Sequence, residues 1–123
     1  MRKLTDHVAS PANEALVITV LDEPGHGGAC HHYSIRWKNE VDQTEPHCFI
    51  GFQDGPIKEF GVNGVTHEAL LAIVMDRLRS FQAGAFACSD NEMALHHCEQ
   101  ALMFLQKRTR ERLARGVEGT SRQ

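Results

Sequence analysis

Arg108, Arg112 and Arg115 recur at i, i+4 and i+7 near the end of the chain, while Arg110 points elsewhere. On a helix the three form one stripe of guanidinium groups. Each is a planar, permanently charged donor that can grip a phosphate through two parallel hydrogen bonds. Residues 107–123 hold six Lys/Arg against two Asp/Glu, a local +4, so a chain of net charge −3 carries −7 before that point. A basic patch on an acidic protein argues against coating a nucleic acid and for a small anionic ligand bearing several phosphates. The plain alternative is that cations in the last helical turns complement the dipole and stay solvated.

Phe81 and Asn91 extend the case. They flank the turn between two helical segments, one closing the first and the other opening the second. An aromatic ring can stack on a base, and a carboxamide can pair with a base edge or a ribose hydroxyl. Taken singly, each residue has an ordinary use: core packing beside Leu78 for Phe81, first-turn chemistry for Asn91. Asn91 and Arg108 stand 17 residues apart, roughly 25 Å at 1.5 Å of rise per residue. A dinucleotide-sized ligand does not span that comfortably. If both touch one ligand, they come from different subunits, and a two-fold dimer supplies two equivalent pockets of this kind.

Other chemistry has weaker support. Cys30-His31-His32, His47-Cys48 and His96-His97-Cys98 are ligand types that zinc accepts. Adjacent residues on a strand point to opposite faces, however, and adjacent residues on a helix diverge by about 100°. No Cys-x-x-Cys pair occurs, so the expected metal and cofactor complement is none. Glu59, Asp76, Glu92 and Glu99 could serve as acids or bases, but no motif fixes their geometry. No catalytic residue is assigned. Gly61-Val62-Asn63-Gly64 reads as a turn before it reads as a phosphate cradle.

The elements that must position these residues follow from pattern. The 123 residues suit one domain, 1–123, with a β-sheet part over 1–65, a helical hairpin over 66–116 and a tail over 117–123. Residues 1–13 have loop composition. Ala15–Leu21, His32–Lys38 and Cys48–Phe52 read as strands, with Tyr33, Ile35 and Trp37 on the covered face of the second. Asp54-Gly55 predicts a hairpin turn, and Pro56–Phe60 an edge strand returning from it. Thr66 caps a first helix that runs to Gly84. Ser89-Asp90-Asn91-Glu92 reads as a capping box opening a second helix, which Gly116 stops. The fold class is α+β: a small antiparallel sheet of about four strands followed by an antiparallel two-helix hairpin. A hydrophobic fraction of 41% leaves apolar surface for self-association. The first residues lack a secretory h-region and no stretch approaches a membrane span, so a cytosolic protein with reduced thiols is the expectation.

Three stretches taken together resemble a known family. They are Phe52-Gln53-Asp54-Gly55-Pro56-Ile57-Lys58-Glu59, then Gly61-Val62-Asn63-Gly64-Val65-Thr66, and finally Arg108-Thr109 with Gly116-Val117-Glu118-Gly119-Thr120. Over about residues 48–120 the chain resembles the first-described family of phage Thoeris anti-defence proteins, the Tad sponges. Residues 1–45 match in layout more than in sequence, and their histidine richness departs from the family. The resemblance implies a phage or prophage protein in the host bacterial cytoplasm. Such a protein sequesters a cyclic ADP-ribose isomer, glycocyclic ADP-ribose, without cleaving it. It also implies homodimers that associate into hexamers, and separate sites for cyclic di- or trinucleotides of the CBASS system in some members. No DNA or membrane partner is implied. Carried over by position, Phe81 stacks on the adenine, Asn91 hydrogen-bonds in the same pocket, and Arg108 and Arg112 meet the pyrophosphate from the partner subunit. Two other functions compete: a metal-assisted cyclic-nucleotide hydrolase using the Cys/His residues and Glu99, and a protein-interaction module docking an acidic partner on the arginines.

Overall fold

A computed structural model describes residues 1–116. The tail over 117–123, including Val117-Glu118-Gly119-Thr120, lies outside the described residues. The chain divides into two compact units between Gly64 and Val65.

The first unit is an antiparallel meander of four strands in the order β1-β2-β3-β4: Arg2–Leu4, Val17–Val20, His32–Arg36 and His47–Gly51. Ile18 and Val20 on β2 pair with Ile35 and Tyr33 on β3, which pair in turn with Cys48 and Ile50 on β4. Directly paired residues share a face, so these side chains make one apolar surface, and Val20 at its centre is 1% exposed. The half-covered Tyr33, Ile35 and Trp37 and the exposed Arg36 and Lys38 follow the expected alternation, but Ser34 does not, being buried.

Besides a short helix, α1, over Pro11–Glu14 in what read as loop, two elements differ from the sequence reading. The sheet takes one edge from Arg2–Leu4, paired with Ile18–Val20, where a loop was expected. Three residues, two of them charged, carry no alternation to detect. The other difference is Pro56–Phe60, expected as an edge strand. It forms a helical turn, α2, over Ile57–Phe60, behind α1 at Pro11–Glu14. The reason lies in side chains that replace a ladder. Gln53 Nε2 donates to the carbonyls of Gly55 and Gly61, and Gln53 Oε1 accepts from Asn63 N–H. Asn63 then accepts from Asp54 N–H and donates to Asp54 O, both at 2.8 Å. With these partners supplied locally, the segment needs no neighbouring strand. Glycine is required at two places in it. Gly55 has φ +85° with the Phe60 ring against it, and a Cβ on Gly64 would lie 2.4 Å from the backbone carbon of Phe52.

The second unit is a helical hairpin of α3, His67–Gln82, and α4, Ser89–Ala114. Thr66 Oγ1 caps α3 by accepting from Ala69 N–H at 3.2 Å. The cap of α4 is Cys88, not the expected Ser89: its Sγ accepts from Asn91 N–H at 3.4 Å. Gln82 sets that start. Its amide group bonds both the N–H and the carbonyl of Cys88 at 3.1 Å, holding Cys88 in extended backbone so that Ser89 becomes the first helical residue. At the far end Gly116 adopts φ +72°, the left-handed conformation that closes a helix.

Candidate functional site: the hairpin turn and the arginine end of the long helix

The four residues assigned to ligand binding, Phe81, Asn91, Arg108 and Arg112, all fall on the hairpin unit. Along α4 the half-covered positions are Asn91, Leu95, Cys98, Leu102, Leu105, Thr109 and Arg112. They step by fours and threes, the 3.5-residue period of a helix seam. Asn91 opens that seam and Arg112 ends it. Met75 is the buried residue of α3, whereas α4 buries none along its 26 residues. Met93, Met103, Phe104 and Leu113 stay exposed on α4, and Ile73 and Val74 on α3.

At the turn, Phe81 is 38% exposed rather than sealed in a core. The ring of Phe86 meets it edge-on, with centroids 6.3 Å apart and planes at 79°. Asn91 Nδ2 lies 3.5 Å from the Phe86 carbonyl and donates to it, which leaves Asn91 Oδ1 as an acceptor with no hydrogen bond among the described residues. Phe86 therefore joins the two sequence-predicted residues of the turn, Phe81 through its ring and Asn91 through its carbonyl. Residue pattern did not single out Phe86. A second aromatic beside Gly84 and Ala85, in a connection this short, is the signal that could have done so.

Arg108 and Arg112 occupy the opposite end of α4. The helix is continuous between Asn91 and Arg108, so within one protomer the 25 Å estimated from rise per residue stands. One chain does not bring the turn residues and the arginines together. Arg108 is exposed and makes no hydrogen bond or ion pair within its chain among the described residues, whereas Arg112 is half-covered at the end of the seam. Other charges of the hairpin are engaged: Arg79 with Glu99 at 3.3 Å and Lys107 with Glu111 at 3.0 Å. Glu99, named above as a candidate acid, therefore already holds a guanidinium.

The histidine-rich region belongs to the first unit. The Asp22 carboxylate accepts from the backbone N–H of His31, at 2.9 Å to its nearer oxygen, and of His32 at 3.1 Å. Asp54 accepts from His26 Nδ1 at 2.8 Å, with His31 Nε2 at 3.6 Å. Desolvation pushes the Asp22 carboxyl up, but the two N–H donors and the neighbouring imidazoles bring it below the ordinary carboxylate range. Asp54 is lowered chiefly by its hydrogen bond from His26. These contacts close the connection between β2 and β3 and tie it to the Gln53–Asn63 segment. Among the described residues no three His, Cys, Asp or Glu side chains gather as metal ligands, and no helix is long and apolar enough to cross a membrane.

Sheet, laced segment and hairpin together define an α+β protein whose distinctive module is a two-helix hairpin with an aromatic turn. The chain matches the family model described as Acb2/Tad1, hairpin domain, over residues 44–110. It is 54% identical over 71 residues to Thoeris anti-defense 1 of Bacillus phage SBSphiJ7. That match takes in 58% of this chain and 50% of the relative, so the chain aligns with half of the relative's length. The chain belongs to the Acb2/Tad1 family. Phe81, Asn91 and Arg108 lie inside the matched residues, and Arg112 two positions beyond them.

Proposed function

We propose that the protein is an anti-defence sponge. It binds a cyclic ADP-ribose isomer, glycocyclic ADP-ribose, inside the host bacterium and holds it uncleaved, so that Thoeris immunity loses its signal. The observation that carries this reading is the aromatic turn, where a half-open Phe81 ring and an Asn91 carboxamide with an available oxygen both meet Phe86. The ring is a shelf for a base, and Asn91 Oδ1 suits a donor such as the exocyclic amine of adenine. The relative's designation as a Thoeris anti-defence protein supports the same role.

Arg108 and Arg112 supply the charge for the pyrophosphate, and they do so from a second copy. Length supports this, since one α4 holds Asn91 and Arg108 too far apart for a single small ligand. The exposed Met93, Met103 and Phe104, within about 100° of one another round the helix, support it as well, because apolar side chains left open on one side of a long helix suit a protein partner. Two-fold pairs, associating further into hexamers, accommodate this, and cyclic di- or trinucleotides of CBASS occupy a separate site. The role requires no catalytic residue, metal or cofactor.

A thermal-shift panel across cyclic ADP-ribose isomers and cyclic oligonucleotides tests the proposal. A ligand present at a hundred times its dissociation constant stabilises the folded protein by about 2.7 kcal/mol. After heat denaturation of the complex, the isomer should be recovered intact. Recovery of ADP-ribose would indicate a hydrolase instead, and the lack of any shift would indicate a protein-interaction module.

A further inference from the structure

Arg77 lies one turn before Phe81, and its guanidinium carbon stands over the Phe81 ring at 5.5 Å from the centroid. Neither the charge stripe nor the match in sequence points to this residue, which sits on α3, far along the chain from the arginines of α4. It makes no ion pair among the described residues, whereas Arg79, two positions on, is held by Glu99.

The spacing is informative. At 5.5 Å from the centroid the guanidinium lies within cation–π range of the ring face on which a base would stack. Admitting a planar base between them requires about 7–8 Å, two contacts of about 3.5–4 Å, so the guanidinium must swing outward. A long, exposed side chain anchored at i−4 makes that movement by a rotamer change alone. Guanidinium planes stack on bases as readily as aromatic rings do.

We infer that Arg77 is the second jaw of the base site, so that the adenine of the ligand is held between the Phe81 ring and the Arg77 guanidinium. This rests on the sponge reading and adds to it a ligand-contacting residue from the same subunit as the shelf. It also gives the site a preference for ligands with a flat, extended π-face over pyrophosphates that lack a base. Arg77 thus stands over part of a ring that stays 38% exposed, the ring that it helps to close on a base.

The test is calorimetric titration of glycocyclic ADP-ribose into the full chain and into Arg77→Ala, Arg77→Lys and Phe81→Ala, with circular-dichroism melting of each as the folding control. Arg77 is exposed, so melting should be unchanged in its variants. Arg77→Ala is expected to weaken binding by about tenfold or more, within the range of one lost base stack. Arg77→Lys keeps the charge and loses the plane, so it should fail to restore binding. Wild-type affinity in Arg77→Lys would assign the residue to charge alone and overturn the inference. Unchanged or tighter binding by Arg77→Ala would make it a cover and overturn the inference too. Phe81→Ala separates the two readings. If it loses binding while Arg77→Ala does not, the jaw falls and the sponge site stands. If neither variant loses affinity, or the parent chain binds no isomer, the sponge site falls and the jaw with it.

Discussion

Mixing two damaged proteins should restore binding that neither shows. Phe81→Ala removes one base stack, worth about 1–3 kcal/mol, and Arg108→Ala removes a charged hydrogen bond worth about 1.5–3 kcal/mol. At 1.4 kcal/mol per decade, each variant alone loses roughly fivefold to 150-fold in affinity. In the proposed two-fold pair, however, each pocket takes its ring from one protomer and its guanidinium from the other. When the two variants are mixed in equal amounts and exchange subunits, about half of the pairs are hybrids with one undamaged and one doubly damaged pocket, so about a quarter of all pockets recover. Calorimetry of the mixture should therefore show a tight class of sites near that stoichiometry, superimposed on a weak background. Within one protomer the unbroken α4 helix separates Asn91 from Arg108. If the mixture binds no better than its components after verified exchange, ring and arginine act within one protomer, and the two-subunit pocket is refuted.

Gly64→Ala should lower the melting temperature of the first unit. The new methyl falls within 2.6 Å of three backbone atoms that cannot swing aside, an overpacking cost of about 1–3 kcal/mol or more. Gly84→Ala is the control, since its methyl finds only the Ser80 carbonyl, at 3.7 Å. Gln82→Ala removes both hydrogen bonds to Cys88. Thermal melts should show a loss of about 1–2 kcal/mol, and ligand affinity should fall as well, because the Phe86–Asn91 turn loosens without losing a ligand contact. Asp22 and Asp54 are both lowered in the folded protein. Their contribution is therefore whole above the ordinary aspartate value of about 3.9, and it is lost as pH falls through the lower folded-state values. Asp22→Asn and Asp54→Asn should flatten that acid limb in a pH series of melts; an unchanged limb would show that other carboxyls control it.

The second half of the chain was more legible than the first. A helix announces itself over many residues, so the recurrence of Leu70, Val74 and Leu78 and the cap at Thr66 located α3 closely. The start of α4 moved by one residue because a side chain six positions upstream, Gln82, fixes Cys88, and a local capping pattern cannot register that. The N-terminal strand was invisible because Arg2 and Lys3 belong to a short edge. Pro56–Phe60 misled because Gln53 and Asn63 supply partners that a strand would otherwise seek, and glutamine or asparagine in a loop ordinarily signals only polarity. At the site, residue type and spacing pointed to Phe81, Asn91, Arg108 and Arg112. Phe86 and Arg77 escaped because their relation to Phe81 is a matter of ring geometry, not of composition.

The length of α4 makes it a measuring rod. At 26 residues and about 1.5 Å each, it fixes how far Asn91, in the proposed base site, stands from the arginines of the proposed grip. Inserting a single residue between them would turn the arginines by about 100° and aim them away from any ligand. Adding seven would nearly preserve their bearing while lengthening the rod by roughly 10 Å. Change along this stretch is thus tolerated in steps of whole turns, and a symmetric pair feels every such step twice.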